Sequence, residues 1–148
     1  ISTLLISKVN LWMNAKLRGE DAYIYGDGEQ RRCFSYIDDV IEALYKCGFD
    51  DVAGQTFNIG SDDHYSLNEL SQLIGGTYQH LPDRANEVKL AIPDHALAKK
   101  ELDYKDTTTI EDGIKKTWRW CQQQGPQEPR YTDIELPSEK IPSNWRKL

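Results

Sequence analysis

Two adjacent arginines, Arg31 and Arg32, follow a glycine turn, Gly26-Asp27-Gly28, and precede a paired carboxylate, Asp38-Asp39. Arginine types in this setting suggest anion capture, because a guanidinium forks two parallel hydrogen bonds onto a phosphate. Neighbouring strand residues point to opposite faces, so one pocket receives only one of the pair. The plain alternative is a hairpin with both arginines in solvent. A second polar constellation, Arg84 with Glu87 and Lys89, recurs about fifty residues later. The plain reading of this pair is a polar loop between two elements. Asp38 and Asp39 have the look of an acid–base pair, but an N-cap and a first-turn charge account for them more simply. His64, His80 and His95 share no metal-ligand spacing and are expected at the surface.

The elements that must carry these groups alternate between helix and strand. Val9, Trp12, Met13 and Leu17 recur at helical spacing over Lys8 to Arg18, with Gly19 placed for a C-cap. Ala22 to Tyr25 is short and aromatic, hence a strand, and Cys33 to Ile37 is expected as a second one. Asp38 would cap a helix that turns Ile41, Leu44 and Tyr45 inward and closes at Gly48. Gln55 to Ile59 suggests a buried strand ending at Gly60. Ser66 and Glu69 form a capping box for a helix with an apolar stripe of Leu67, Leu70, Leu73 and Ile74. A short helix is expected over Asp94 to Leu102, and a longer one from Thr109 to about Gln123 with Ile110, Ile114, Trp118 and Cys121 on one face. From Gly125 the sequence holds four of its six prolines and no helical period, which suggests an extended tail pinned by Tyr131 and Trp145. The domain expectation is therefore residues 1–124 plus a tail, 125–148. The class is α/β, with too few strands for a full doubly wound sheet.

Composition narrows the functional classes. With 24 acidic residues against 18 basic ones the net charge is −6, which disfavours a general nucleic-acid binder. No apolar run approaches the roughly 18 residues of a membrane span. The apolar start, Ile1 to Ile6, lacks the basic region and cleavage site of a signal peptide. Three widely spaced cysteines with no CxxC indicate neither a disulfide framework nor a zinc site, and a cytoplasmic setting is expected. A start without Met suggests a piece of something longer.

The stretch Ile24 to Asp39, IYGDGEQRRCFSYIDD, resembles the extended short-chain dehydrogenase/reductase family. It follows the family pattern at Gly26, Asp27, Gly28, Gln30, Arg32, Phe34, Tyr36, Asp38 and Asp39, and departs at Cys33, where an aspartate is usual. FNIGS at Phe57 to Ser61, SLNEL at Ser66 to Leu70, Pro-x-Arg-x-x-Glu-Val at Pro82 to Val88 and TIEDGIKKTWRW at Thr109 to Trp120 continue the resemblance in order. The resemblance implies the small carboxyl-terminal substrate-binding domain of a Rossmann-type enzyme, with Phe57 to Ser61 a strand that joins the cofactor domain's sheet. It implies an NAD-dependent nucleotide-sugar epimerase, similar to UDP-glucose 4-epimerases; a 4,6-dehydratase portion and a non-catalytic binding module are the alternatives. It also implies that Arg32 and Arg84 hold a nucleotide diphosphate, that Glu87 meets ribose or sugar hydroxyls, and that the backbones of Tyr23 and Tyr25 meet the base. Arg32 and Arg84 are thus expected to converge on one pocket with Glu87 at its rim. The family's glycine-rich dinucleotide loop has no match among the ten glycines, and none of the eight tyrosines has a lysine four residues on. The expected partners are a nucleotide-diphosphate sugar, an upstream Rossmann domain that would hold NAD, and a second copy of the chain in a homodimer. No catalytic, cofactor or metal residue is assigned within these 148 residues.

Overall fold

In the computed structural model, residues 8–49 and 52–127 are described. Helix α1 (Lys8–Arg18) ends as its sequence predicts. Gly19 takes a φ of +69°, and Gly19 N–H and Glu20 N–H donate back to the carbonyls of Lys16 and Ala15, closing the last turn. Trp12 and Met13 are buried from this helix, with Val9 and Leu17 packed beside them.

The chain then runs through strand β1 (Ala22–Tyr25), the glycine turn and strand β2 (Arg31–Cys33) into helix α2 (Ile37–Phe49). After a long connection come β3 (His64–Ser66), α3 (Leu67–Ile74), β4 (Tyr78–Leu81), β5 (Leu90–Ala91), α4 (Ala96–Leu102) and α5 (Ile110–Gln124). The strands form two small sheets. In one, β1 pairs parallel with β4, Tyr25 opposite Leu81. In the other, β2 lies between antiparallel β3 and parallel β5, with Arg32 opposite Tyr65 and Ala91. The main apolar core gathers Trp12, Met13, Ile24, Leu67, Leu70, Ile74, Ile114 and Cys121 from α1, β1, α3 and α5. A second cluster joins Ala43, Val52, Ala98, Leu102 and Tyr104. The capping box at α3 is complete: Ser66 Oγ accepts from Glu69 N–H, and the Glu69 carboxylate accepts from Ser66 N–H at 2.7 Å.

Several expectations need correction. The second strand is Arg31–Cys33, not Cys33 to Ile37, because Phe34 to Tyr36 leave the ladder and lead straight into α2. Asp38 is not the N-cap, since the helix already includes Ile37. Asp39 is the structural carboxylate: it accepts from Thr107 Oγ1 at 2.6 Å and from Thr108 N–H at 3.1 Å, tying α2 to the segment before α5. Ile41, Leu44 and Tyr45 do not face inward; Leu44 is 70% exposed, and the buried positions of α2 are Asp39 and Ala43. Gln55 to Ile59 forms no strand, and the described residues offer it no neighbouring ladder. His95 is not a surface residue: it is 8% exposed, with Nε2 2.8 Å from Asp62 and its ring edge-on to Tyr104. His64 and His80 are exposed. The tail beyond Gln127, including Tyr131 and Trp145, lies outside the described residues.

Candidate anion-binding site

Turn chemistry sets where the arginines go. Gly26 and Gly28 hold φ values of +73° and +77°, a left-handed conformation that side chains disfavour. A Cβ on Gly26 would sit 1.9 Å from Asp83 Oδ1, and one on Gly28 would sit 2.1 Å from Asn68 Oδ1. The turn is therefore pressed against both the start of α3 and the connection Pro82 to Lys89. That connection links the two sheets, leaving β4 and entering β5. Asn86, at a φ of 62°, reverses it, and Glu87 N–H donates to the Arg84 carbonyl at 3.3 Å. Asparagine tolerates this conformation better than most residues. Lys89 braces the arrangement, 3.6 Å from Asp27 and 3.7 Å from Asp83.

The reversal brings Arg84 over β1 and Glu87 over β2. The Arg84 guanidinium carbon lies 3.7 Å from the centroid of the Tyr25 ring. Arg32 Nη2 donates to Glu87 Oε1 at 3.1 Å, in a pair whose side chains are 27% and 23% exposed, while Arg32 Nη1 donates to the Arg31 carbonyl at 2.8 Å. Arg31 leaves on the other face and pairs with Glu69 at 2.9 Å, outside this cluster. Alternation along β2 thus separates the two arginines, as strand geometry requires.

One member of the cluster was not expected from the sequence. Lys8, the first residue of α1, places its ammonium 5.3 Å from the Tyr25 ring centroid and 5.9 Å from that of Trp12. Burial holds its pKa below 10.5, and the Arg84 charge lowers it further, against an opposing pull from Glu87. Its only trace in the sequence is a lysine one helical turn before Trp12. Among the described residues, the charges acting on Lys8 are those of Arg84 and Arg32 against that of Glu87, three cations to one carboxylate. Along β1, Ala22 N–H donates to the Thr77 carbonyl, and just beyond the strand Gly26 N–H donates to that of Leu81, so Ala22, Ile24 and Gly26 face β4. The main-chain groups of Tyr23 and Tyr25 consequently point to the opposite edge of β1. There the Tyr23 carbonyl accepts from the Trp12 indole at 3.3 Å, and the Tyr25 carbonyl from the Gln30 amide at 2.8 Å.

A separate cleft of about 540 Å³ opens beside this cluster, lined by Val9, Cys33, Phe34, Tyr36, Thr109 and Trp120 among others. Lys116, the one cation lining it among the described residues, rests 4.7 Å from the Tyr36 ring centroid. Burial and nearby Asp106, Asp62 and Asp63 push the Cys33 thiol pKa up, so it is a poor nucleophile. No group of three or more His, Cys, Asp and Glu among the described residues is placed to hold a metal ion. No helix there is long and apolar enough to cross a membrane.

A sequence model described as GDP-mannose 4,6 dehydratase matches residues 2–117. The chain belongs to that family. UDP-N-acetyl-alpha-D-glucosaminuronate decarboxylase of Bacillus cytotoxicus is 31% identical over 121 residues, covering 74% of this chain and 38% of the relative. Among solved structures, the UDP-glucose 4-epimerase of Thermotoga maritima with UDP-glucose is 29% identical at a TM-score of 0.71, over 80% of this chain and 40% of that one. MoeE5 in complex with UDP-glucose and NAD is 27% identical at a TM-score of 0.73, over 81% and 42%. Family membership and these likenesses place the chain among the extended short-chain dehydrogenases/reductases, as their carboxyl-terminal portion. Its relatives are nucleotide-sugar enzymes of more than one reaction type, and it spans about 40% of their length.

Proposed function

We propose that this chain is the substrate-binding part of an NAD-dependent nucleotide-sugar epimerase similar to UDP-glucose 4-epimerases, and that Lys8, Arg32 and Arg84 hold the substrate's diphosphate. The observation that carries this reading is the gathering of three cations around one carboxylate, on a chain from a nucleotide-sugar family. A nucleotide sugar carries about two negative charges, which matches the excess of the cluster. Glu87, on releasing Arg32 to the phosphates, becomes an acceptor for ribose or sugar hydroxyls. The base is assigned to the outward edge of β1 at Tyr23 and Tyr25, whose main-chain groups lie outside the β1–β4 ladder.

NAD would supply the hydride chemistry of the whole enzyme, and no residue described here is assigned to it. It belongs in this proposal to an amino-terminal Rossmann part that accounts for the length the relatives have beyond this chain. A 4,6-dehydratase is the second reading, favoured by the family description, and uses the same diphosphate contacts. The cytoplasm is the proposed compartment, consistent with the free thiols of Cys33, Cys47 and Cys121.

Calorimetric titration with UDP-sugars tests the site. Arg32→Ala is expected to weaken binding roughly ten- to a hundredfold, the size of one lost charged hydrogen bond. Arg31→Ala should change it by less than about twofold, because its partner is Glu69. Equal losses from the two variants would sink the assignment.

A further inference from the structure

Arg32 is fixed by its ion pair with Glu87, but the other two cations of the cluster are held differently. Among the described residues, neither Arg84 nor Lys8 has a carboxylate within ion-pair distance. Both instead lie against one ring, that of Tyr25, at 3.7 Å and 5.3 Å from its centroid. The Arg84 Nε is buried and has no acceptor among the described residues. A buried N–H without an acceptor is costly, and a ligand oxygen in the guanidinium plane would relieve that cost.

We propose that the side chain of Tyr25, and not only its backbone, is a positioning residue for the anion site, which rests on the nucleotide-sugar reading of the same cluster. An arginine stacked by its face keeps its N–H edge available for acceptors. The ring thus fixes the plane of Arg84 without consuming the donors that a diphosphate needs, whereas a carboxylate partner would occupy them. The same ring also attracts the Lys8 ammonium through its negative π charge. Burial beside two other cations lowers the Lys8 pKa, so an approaching anion relieves both side chains at once. Tyr25 can do this because it ends β1, immediately before the turn that presses on Asp83, next to Arg84.

The test is titration of the full chain with UDP and with GDP, following Tyr25→Phe, Tyr25→Leu, Arg84→Ala and the Tyr25→Leu/Arg84→Ala pair. Tyr25→Leu should weaken diphosphate binding about tenfold, from the loss of cation–π contacts on two groups. Tyr25→Phe, which keeps the ring, should restore binding to within about twofold of the wild type. On the Arg84→Ala background Tyr25→Leu should cost much less, since most of its effect passes through Arg84. Thermal melting establishes that each variant is folded, and Tyr25→Met replaces Tyr25→Leu if the latter is not. Unchanged affinity in Tyr25→Leu would overturn the positioning role. So would Tyr25→Phe as weak as Tyr25→Leu, or full additivity with Arg84→Ala. Absence of binding by the wild type to either diphosphate would instead overturn the nucleotide-sugar reading, and the positioning role with it.

Discussion

At the scale of single residues, Lys8 ties the anion cluster to pH. Its pKa is lowered in the folded chain, so between that value and 10.5 the unfolded state binds more protons. The Lys8 contribution to stability therefore rises with pH across that window, and its cost is present at neutral pH. A bound diphosphate reverses the balance by favouring the ammonium. Binding in that pH range should take up protons, read as a buffer-dependent enthalpy in calorimetry, and Lys8→Met should abolish the uptake. Strand alternation dictates that only one of Arg31 and Arg32 faces a given pocket, whereas the choice of Arg32 and the roles of Arg84 and Glu87 rest on the family resemblance. Lys8 could be proposed from neither, because its role depends on two rings brought to it by α1 and β1 packing together. Whether Arg32 meets Glu87 or open solvent was equally a matter of how the Pro82 to Lys89 connection folds back.

At the scale of elements, local rules succeeded where a helix carries its own start and stop signals. The capping box at Ser66 and Glu69, the glycine ending α1 and the Thr109 cap of α5 all form from nearby residues. Ser66→Ala should lower stability by about 1 kcal/mol, measured by denaturant unfolding, as expected for a lost N-cap. It should leave diphosphate affinity unchanged, because Ser66 lies on the Arg31 side of the β2–β3 ladder. Local rules failed where a segment depends on distant partners. Gln55 to Ile59 has the apolar composition of a strand, but a strand exists only as half of a ladder. The outward face of α2 is the same case in helical form: its spacing signalled an inward stripe, while the described residues cover only Asp39 and Ala43.

At the scale of the whole molecule, that face defines what the chain requires. Ile37, Ile41, Leu44, Tyr45 and Phe49 form a continuous exposed apolar surface, with Phe49 at 74% exposure. Surfaces of this kind mark interaction sites in a soluble protein. On the proposed reading the Rossmann part covers it. The isolated chain should self-associate, visible as dimers or larger species in light scattering, and Leu44→Glu should give a monomer with an unchanged melting temperature. A wild-type chain that stays monomeric would count against the missing cover. The division into two small sheets has another consequence. They share no ladder, and of the three passages of the backbone between them two, the glycine turn and the Pro82 to Lys89 connection, border the anion site, while the third runs through α3. Arg84 belongs to the Tyr25 side of that seam and Arg32 to the other. A diphosphate spanning both guanidinium groups would act as a rivet across the seam, so hydrogen exchange should slow with ligand not only in β2 but also at Leu90 and Ala91 of β5, which hold none of the proposed ligand contacts.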